Sequence, residues 1–213
     1  LRVAENGTDT GTSVVANLSV TGGALDITNN KLIVQAAGSA GTWNGTAYEG
    51  ITGLIASGRN GGTWNGSGII TSETSAASPS ILTTLGVALA DDIGKVGSTF
   101  GGQTVASGDV LVMYTYGGDA NLDGRINGDD YFAIDSHVNI AGSSGYDNGD
   151  FNLDGHINGD DYFIIDSNIN QQSLGVFSSA AQGAHISAVP EPASIGLIFA
   201  GSMLLAARRR RRI

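Results

Sequence analysis

The sequence of 213 residues contains no cysteine, which excludes a disulfide framework and thiolate metal sites. Proline occurs only three times and charged residues make up 14% of the chain, whereas glycine occurs 33 times. A Gly-rich chain with frequent Thr, Ser, Asn and Val favours short strands joined by tight turns. Basic side chains are also scarce, because five of the ten Lys and Arg residues are Arg208–Arg212. The remainder offers no basic patch for phosphates, so we expect no nucleic-acid partner.

The chain begins at Leu1, and no basic region followed by an apolar core marks a secretory signal peptide. We therefore expect either that such a signal has been removed or that this chain is the C-terminal part of a longer product.

Composition divides the chain into a β-rich region (1–117), an acidic repeat (118–171), a linker (172–188) and a tail (189–213). Runs of alternating polar and apolar residues, or of β-branched and aromatic residues, predict strands at 13–20, 24–27, 31–34 and 110–116. A helix is predicted over 79–90. The phrase Gly-Thr-Trp-Asn-Gly at 41–45 returns at 62–66, which is compatible with solenoid coils or with two Trp-anchored turns in a sandwich.

The acidic repeat is a tandem duplication. Residues 119–139 and 150–170 differ at only five of 21 positions, and eleven Asp but only one Arg lie between Asp119 and Asp166. So compact a negative charge requires cations to relieve its self-repulsion.

Each copy has the spacing of a 12-residue calcium loop, in which oxygen atoms at positions 1, 3, 5, 7, 9 and 12 surround the ion and position 6 is glycine. Position 7 contributes its backbone carbonyl. The predicted ligands of two Ca²⁺ ions are Asp119, Asn121, Asp123, Arg125, Asn127 and Asp130 in the first loop and Asp150, Asn152, Asp154, His156, Asn158 and Asp161 in the second.

A helix should follow each loop, because Tyr131, Ile134 and Val138 recur at helical spacing, as do their counterparts 31 residues later. No helical pattern precedes either loop. Each unit is therefore a loop followed by a helix, which is half of an EF-hand.

This arrangement resembles a type I dockerin, whose repeats carry the pattern Asp-x-Asn-x-Asp-Gly-x-Ile-Asn-x-x-Asp. The resemblance implies calcium-dependent folding, docking onto a cohesin-like protein and frequent attachment to polysaccharide-degrading enzymes. In that family, loop positions 10 and 11 select the partner. Here these positions are Gly128-Asp129 and Gly159-Asp160 rather than a pair of hydroxyl residues, so a cohesin-like or an intramolecular partner is left open.

The tail combines Pro190-Glu191-Pro192, an apolar stretch at 193–207 and the terminal Arg run. This order resembles a PEP-CTERM sorting signal, which implies recognition by an exosortase-type membrane enzyme. The apolar stretch is shorter than the roughly 20 residues of an ordinary spanning helix, and an ordinary single-pass tail anchor is the alternative. Both interpretations place the body outside the cytoplasm, at the cell surface or in the envelope, with transient anchoring through 193–207.

Other candidate residues form no constellation. Trp43 and Trp64 are typical either of sugar-stacking platforms, with Glu49 or Glu73 as carboxylates, or of core and turn anchors, and the second interpretation is favoured. His137, His156 and His185 are scattered. The phrases at 25–34 and 61–66 resemble the ends of bacterial β-solenoid or autotransporter-like surface proteins.

The sequence thus predicts a mixed architecture. It comprises an all-β N-terminal part (solenoid or sandwich), a small α-helical EF-hand-like dockerin module and a single C-terminal apolar helix. We expect an exported, surface-associated, non-enzymatic protein. The alternative is the accessory part of a glycoside hydrolase with its catalytic domain upstream and a polysaccharide partner.

Overall fold

The computed structural model describes residues 1–172. These described residues belong to one compact unit. The tail, its predicted apolar helix, His185 and all of the predicted linker except Gln172 lie outside the described residues.

Within residues 1–172, eight strands and three α-helices alternate with short 3₁₀ turns. The elements are β1 (Ser13–Val15), β2 (Ala24–Asp26), β3 (Lys31–Val34), α1 (Gly50–Arg59), β4 (Gly68–Ile70), β5 (Thr83–Leu89), β6 (Thr99–Phe100), β7 (Gln103–Thr104), β8 (Val110–Tyr116), α2 (Gly128–His137) and α3 (Gly159–Asn168).

The largest sheet has the strand order β1-β3-β8-β5. In it β1 and β3 are parallel, whereas β8 is antiparallel to both of its neighbours. A second sheet pairs β2 with β4 in parallel, and β6 and β7 form a short antiparallel pair. Strands of a solenoid stack in parallel coils, and this mixed order does not follow that arrangement. Residues 1–172 also do not form the two facing antiparallel sheets of a sandwich.

The predicted strands are confirmed at β3 and β8 over their full length, and at 13–20 and 24–27 in part. The prediction of an all-β N-terminal part is wrong, because α1 lies within it. This helix lies between β3 and β4 in the chain and packs closely on β4. A Cβ atom at Gly58 would lie 2.1 Å from the carbonyl oxygen of Ile69, so only glycine allows this approach.

The helix predicted over 79–90 is also wrong, because this segment forms strand β5. β-branched residues Thr83, Thr84 and Val87 favour a strand, and β5 pairs with β8 along its whole length. Gly86 of β5 lies where two side chains of the acidic repeat leave no space for a Cβ atom. A Cβ atom there would lie 2.6 Å from the Leu122 side chain and 2.8 Å from the Tyr146 ring.

One hydrophobic core runs through the β-rich region and the acidic repeat. It joins residues of the large sheet, such as Leu85 and Leu111, to residues of the repeat, such as Ile134, Phe151 and Ile165. The boundary predicted between residues 117 and 118 therefore falls inside a compact unit, and β8 leads into the first loop.

Helices α2 and α3 confirm the predicted loop–helix units. Both begin with a capping box, in which Asn127 or Asn158 is the N-cap and the Asp three residues later completes the box. Ile134 of α2 and Ile165 of α3 are fully buried. In the described part of the chain, no helix has the length and apolar character needed to cross a membrane.

Candidate metal centre

The two acidic loops repeat the same hydrogen bonds at position 1. Asp119 accepts from the backbone N–H groups of Asp123 (3.0 Å) and Gly124 (2.9 Å). Asp150 accepts from the equivalent N–H groups of Asp154 (3.1 Å) and Gly155 (2.8 Å). In each loop, the position-1 carboxylate therefore bonds to the backbone of positions 5 and 6 and stabilises the turn between them.

The position-12 carboxylates also make the same hydrogen bonds in both loops. One oxygen of Asp130 accepts from Ala120 N (2.8 Å), and its other oxygen accepts from Asn127 N (2.9 Å). Asp161 accepts from Phe151 N at 2.8 Å and from Asn158 N at 2.9 Å. Each position-12 carboxylate thus joins the start of its loop to the N-terminus of the following helix.

Position 6 produces the turn that both loops need. Gly124 and Gly155 have φ angles of 87° and 86°, in the region that side chains with a Cβ atom rarely adopt. A calcium loop requires a sharp turn of this kind at position 6.

Four loop carboxylates are withdrawn from solvent: Asp119, Asp130, Asp150 and Asp161. Burial is the main cause that raises the pKa of Asp119, to about 8, although the hydroxyl of Thr115 acts in the opposite direction. Burial likewise raises the pKa of Asp130 and of Asp161 to about 6, and it raises that of Asp150. Bringing a cation close would favour the charged form of all four groups.

The donor set of each loop fits calcium. It comprises three carboxylates, two side-chain amides and a backbone carbonyl around one glycine turn, and calcium prefers six to eight oxygen ligands. In residues 1–172, however, no three Asp, Glu or His side chains already converge on one point as a formed shell. In the second loop, the position-5 side chain is engaged elsewhere, because Asp154 accepts a hydrogen bond from Asn152 Nδ2 (3.0 Å). Asp123 and Asp154 are exposed, so their side chains have room to turn inward.

The first loop is held by residues close to it in the structure. The Thr115 hydroxyl, at the end of β8, donates to the carboxylate of Asp119. The side chain of Gln172 forms two bonds with the backbone of Ile126, one to its N–H and one to its carbonyl, both 2.8 Å long. Gln172 was predicted as the first residue of the linker, but it belongs to the folded part.

The second loop is held by the N-terminal region. The Tyr48 hydroxyl donates to the carboxylate of Asp150. Arg59, the last residue of α1, donates from Nη1 to the carbonyl oxygen of Asn152 (2.9 Å). The ring of Trp43 covers the turn, since a Cβ atom at Gly155 would lie 2.2 Å from it.

Burial and the charge of Asp150 raise the pKa of Tyr48, so its hydroxyl keeps its proton and acts as a donor. Burial lowers the pKa of the Arg59 guanidinium, whereas the carboxyls of Asp150 and Asp161 raise it. Its positive charge therefore partly compensates for the acidic second loop.

The spacing of the repeat predicts loop ligands, but it gives no indication of these supporting residues. Thr115 could have been suspected, because it lies only four residues before Asp119. No pattern in the sequence indicates that Tyr48 or Arg59 bonds to the second loop, because these contacts span about 100 residues of sequence.

The tryptophans act as anchors in this structure. Trp64 is buried and donates from Nε1 to the carbonyl of Ala76 at 3.0 Å. Trp43 contacts the rings of Tyr48 and His156 edge-on, with centroid separations of 5.2 and 6.1 Å. His156 thereby has a packing role beside its predicted backbone ligation.

Helices α2 and α3 are joined by two reciprocal hydrogen bonds. The Tyr131 hydroxyl donates to Asp166 (2.6 Å), and the Tyr162 hydroxyl donates to Asp135 (2.5 Å). Phe132 and Phe163 occupy the next position in each repeat and are 72% and 65% exposed. The repeat therefore presents two equivalent aromatic side chains to solvent.

The family model of the PEP-CTERM protein-sorting motif matches residues 188–212. No dockerin domain is detected in the acidic repeat, and no family model matches the N-terminal part. Neither a curated protein nor a solved structure matches the chain. The matched motif indicates an exported, envelope-associated protein that an exosortase recognises at this tail.

Proposed function

We propose that this exported protein is non-catalytic and that residues 118–171 form a calcium-dependent docking module with two Ca²⁺ sites. The observation that carries the proposal is the matched pair of loops. Both hold the carboxylates of positions 1 and 12 in full burial with the same backbone donors. Both also add an Asp and two Asn at the positions that complete an oxygen shell.

The burial of these carboxylates gives calcium its structural role. A buried carboxylate is unfavourable in its charged form unless positive charge or hydrogen bonds stabilise it. Two bound Ca²⁺ ions would supply that charge in both loops. A ligand that binds only the folded state stabilises it by about 2.7 kcal/mol when its concentration is 100 times Kd.

The docking face we propose contains Phe132 and Phe163, the repeat-related aromatic residues of α2 and α3. Their exposure supports this role, because large exposed apolar side chains are typical of interaction surfaces. The partner is a cohesin-like protein by the dockerin resemblance. The N-terminal region is an intramolecular partner of the second loop, because Tyr48 and Arg59 both bond to it.

Calorimetry with calcium on the 213-residue chain tests the metal sites. We expect two binding events with affinities in the range of about 10⁻⁷ to 10⁻³ M. The double variants Asp119→Asn/Asp130→Asn and Asp150→Asn/Asp161→Asn should each lose one event.

The matched control is Asp129→Asn/Asp160→Asn, which removes the same charge at position 11, where no ligand is predicted. This control should keep both events. Two outcomes would show that the loops are not the predicted calcium sites. Either the unaltered chain binds no calcium, or the control loses binding as the double variants do.

A further inference from the structure

Each position-1 carboxylate receives a hydrogen bond from a hydroxyl group outside its loop. In the first loop this group is Thr115, which donates to Oδ2 of Asp119 from four residues upstream. In the second loop it is Tyr48, which donates to Oδ2 of Asp150. The same oxygen of the same loop position is therefore held in both copies, but by unrelated parts of the chain.

Tyr48 is buried, and its hydroxyl makes two hydrogen bonds with the second repeat and the segment that precedes it. Its side chain is 7% exposed, and its hydroxyl also accepts a hydrogen bond from Gly145 N at 2.7 Å. The hydroxyl thus bridges the segment that enters the loop and the first ligand position. The Trp43 ring packs against Tyr48 and fixes its orientation from the other side.

The geometry points to Tyr48 as a positioning residue for the second calcium loop, so that the N-terminal region completes one of the two metal sites. This inference rests on the proposed calcium function. A carboxylate binds a metal well only when its oxygens are correctly aimed, and hydrogen-bond partners behind the ligand provide that aim. Removal of such a partner typically lowers metal affinity about 10- to 100-fold.

The two sites are consequently unequal. The first loop depends on Thr115 in the adjoining strand, whereas the second depends on residues about 100 positions earlier in the chain. A change at Tyr48 should weaken the second site and spare the first, and a change at Thr115 should have the opposite effect.

Terbium(III), which replaces calcium in oxygen sites, distinguishes the two loops in the full chain. Trp43 covers the second loop at Gly155, so excitation of tryptophan should sensitise terbium bound there. Tyr48→Phe keeps the ring but removes the hydroxyl, and we expect the sensitised terbium titration to shift to about tenfold higher concentration or more.

Thr115→Val is the matched control and should leave the sensitised titration unchanged, while calcium calorimetry shows its first-loop event weakened. Trp43→Phe should remove the sensitised signal and thereby assign it to the second loop. A general loss of stability would weaken both sites together and would not produce this separation.

Amide hydrogen exchange of the unaltered chain provides a test without substitution. Calcium should slow the exchange of the Gly145 amide, which bonds to the Tyr48 hydroxyl. If Tyr48→Phe binds terbium and calcium like the unaltered chain, or if calcium leaves Gly145 exchange unchanged, the inference is overturned. If the unaltered chain binds neither ion, the proposed calcium function itself fails.

Discussion

The hydroxyl of Tyr48 donates a hydrogen bond to the carboxylate of Asp150, 102 residues further along the chain. Tyr48 immediately precedes the N-cap of α1, and Asp150 opens the second acidic loop. The β-rich region and the acidic repeat are therefore connected at the centre of a candidate metal site. The shared core strengthens this connection, because Leu122 and Tyr146 pack closely against Gly86 of β5.

Gly124 and Gly155 offer a matched pair of substitutions at position 6. Their φ angles are nearly the same, so an alanine is strained to a similar extent in each loop, by about 1 to 3 kcal/mol. Their surroundings differ. A Cβ atom at Gly124 would meet only Met113 at 3.4 Å, whereas one at Gly155 would meet the Trp43 ring at 2.2 Å.

We therefore expect Gly155→Ala to lower the free energy of unfolding by about 1 to 3 kcal/mol more than Gly124→Ala, because of overpacking against Trp43. Urea denaturation at fixed calcium concentration measures both values. Adding Trp43→Ala to each variant serves as the control, and it should reduce the difference between them. Equal losses in the two single variants would contradict the observed contact.

The acidic repeat was predictable because its chemistry is local. The spacing of Asp119, Asn121, Asp123 and Asp130 defines a loop, and the apolar spacing after it defines a helix. The glycine turns and the capping boxes follow from the same dozen residues. What the repeat contacts elsewhere was not predictable, because hydrogen bonds such as that from Arg59 to Asn152 depend on tertiary structure alone.

The errors in the N-terminal region have two physical causes. Helix α1 contains three glycines, which disfavour helices in isolation, and close packing against β4 compensates for their low propensity. Strand β5 has leucines at near-helical spacing, but six of its seven residues are buried. A strand buried on both faces shows no alternation, so periodicity did not distinguish it from a buried helix.

Asp147 gives a prediction for pH dependence. Burial, assisted by the charge of Asp92, raises its pKa to about 6, while His137 acts in the opposite direction. All three side chains line one cleft beside α2. Because the pKa in the folded state exceeds its ordinary value of 3.8, the folded state binds this proton more tightly. Stability is therefore lost as the pH rises through about 6.

Asp147→Asn should remove this loss. The stability of the variant minus that of the unaltered chain should therefore increase by about 2 kcal/mol from pH 4 to pH 8. Parallel urea denaturation at the two pH values, with calcium constant, gives the comparison. Carboxyls that do not interact with Asp147 titrate alike in both proteins and cancel in the difference. A stability difference that is independent of pH would show that Asp147 does not titrate in this range.

The matched sorting motif predicts that residues 188–212 determine where the protein goes. Deletion of this segment should release the body into the medium in the native host, which fractionation of cells and medium can measure. Replacing Pro190-Glu191-Pro192 with three alanines separates sorting from simple anchoring, because the apolar stretch and the Arg run are unchanged.

Each arginine side chain costs about 2.5 kcal/mol or more in the centre of a bilayer, so the terminal run should hold the alanine variant at the cytoplasmic face. If an exosortase recognises the motif, the alanine variant should accumulate unsorted in the cytoplasmic membrane, while the unaltered chain reaches the cell envelope or surface. A matched control replaces Ser178-Ser179-Ala180 of the linker with three glycines and should be sorted normally. If the alanine variant is distributed like the unaltered chain, the segment acts as an ordinary tail anchor and the Pro-Glu-Pro motif is not recognised.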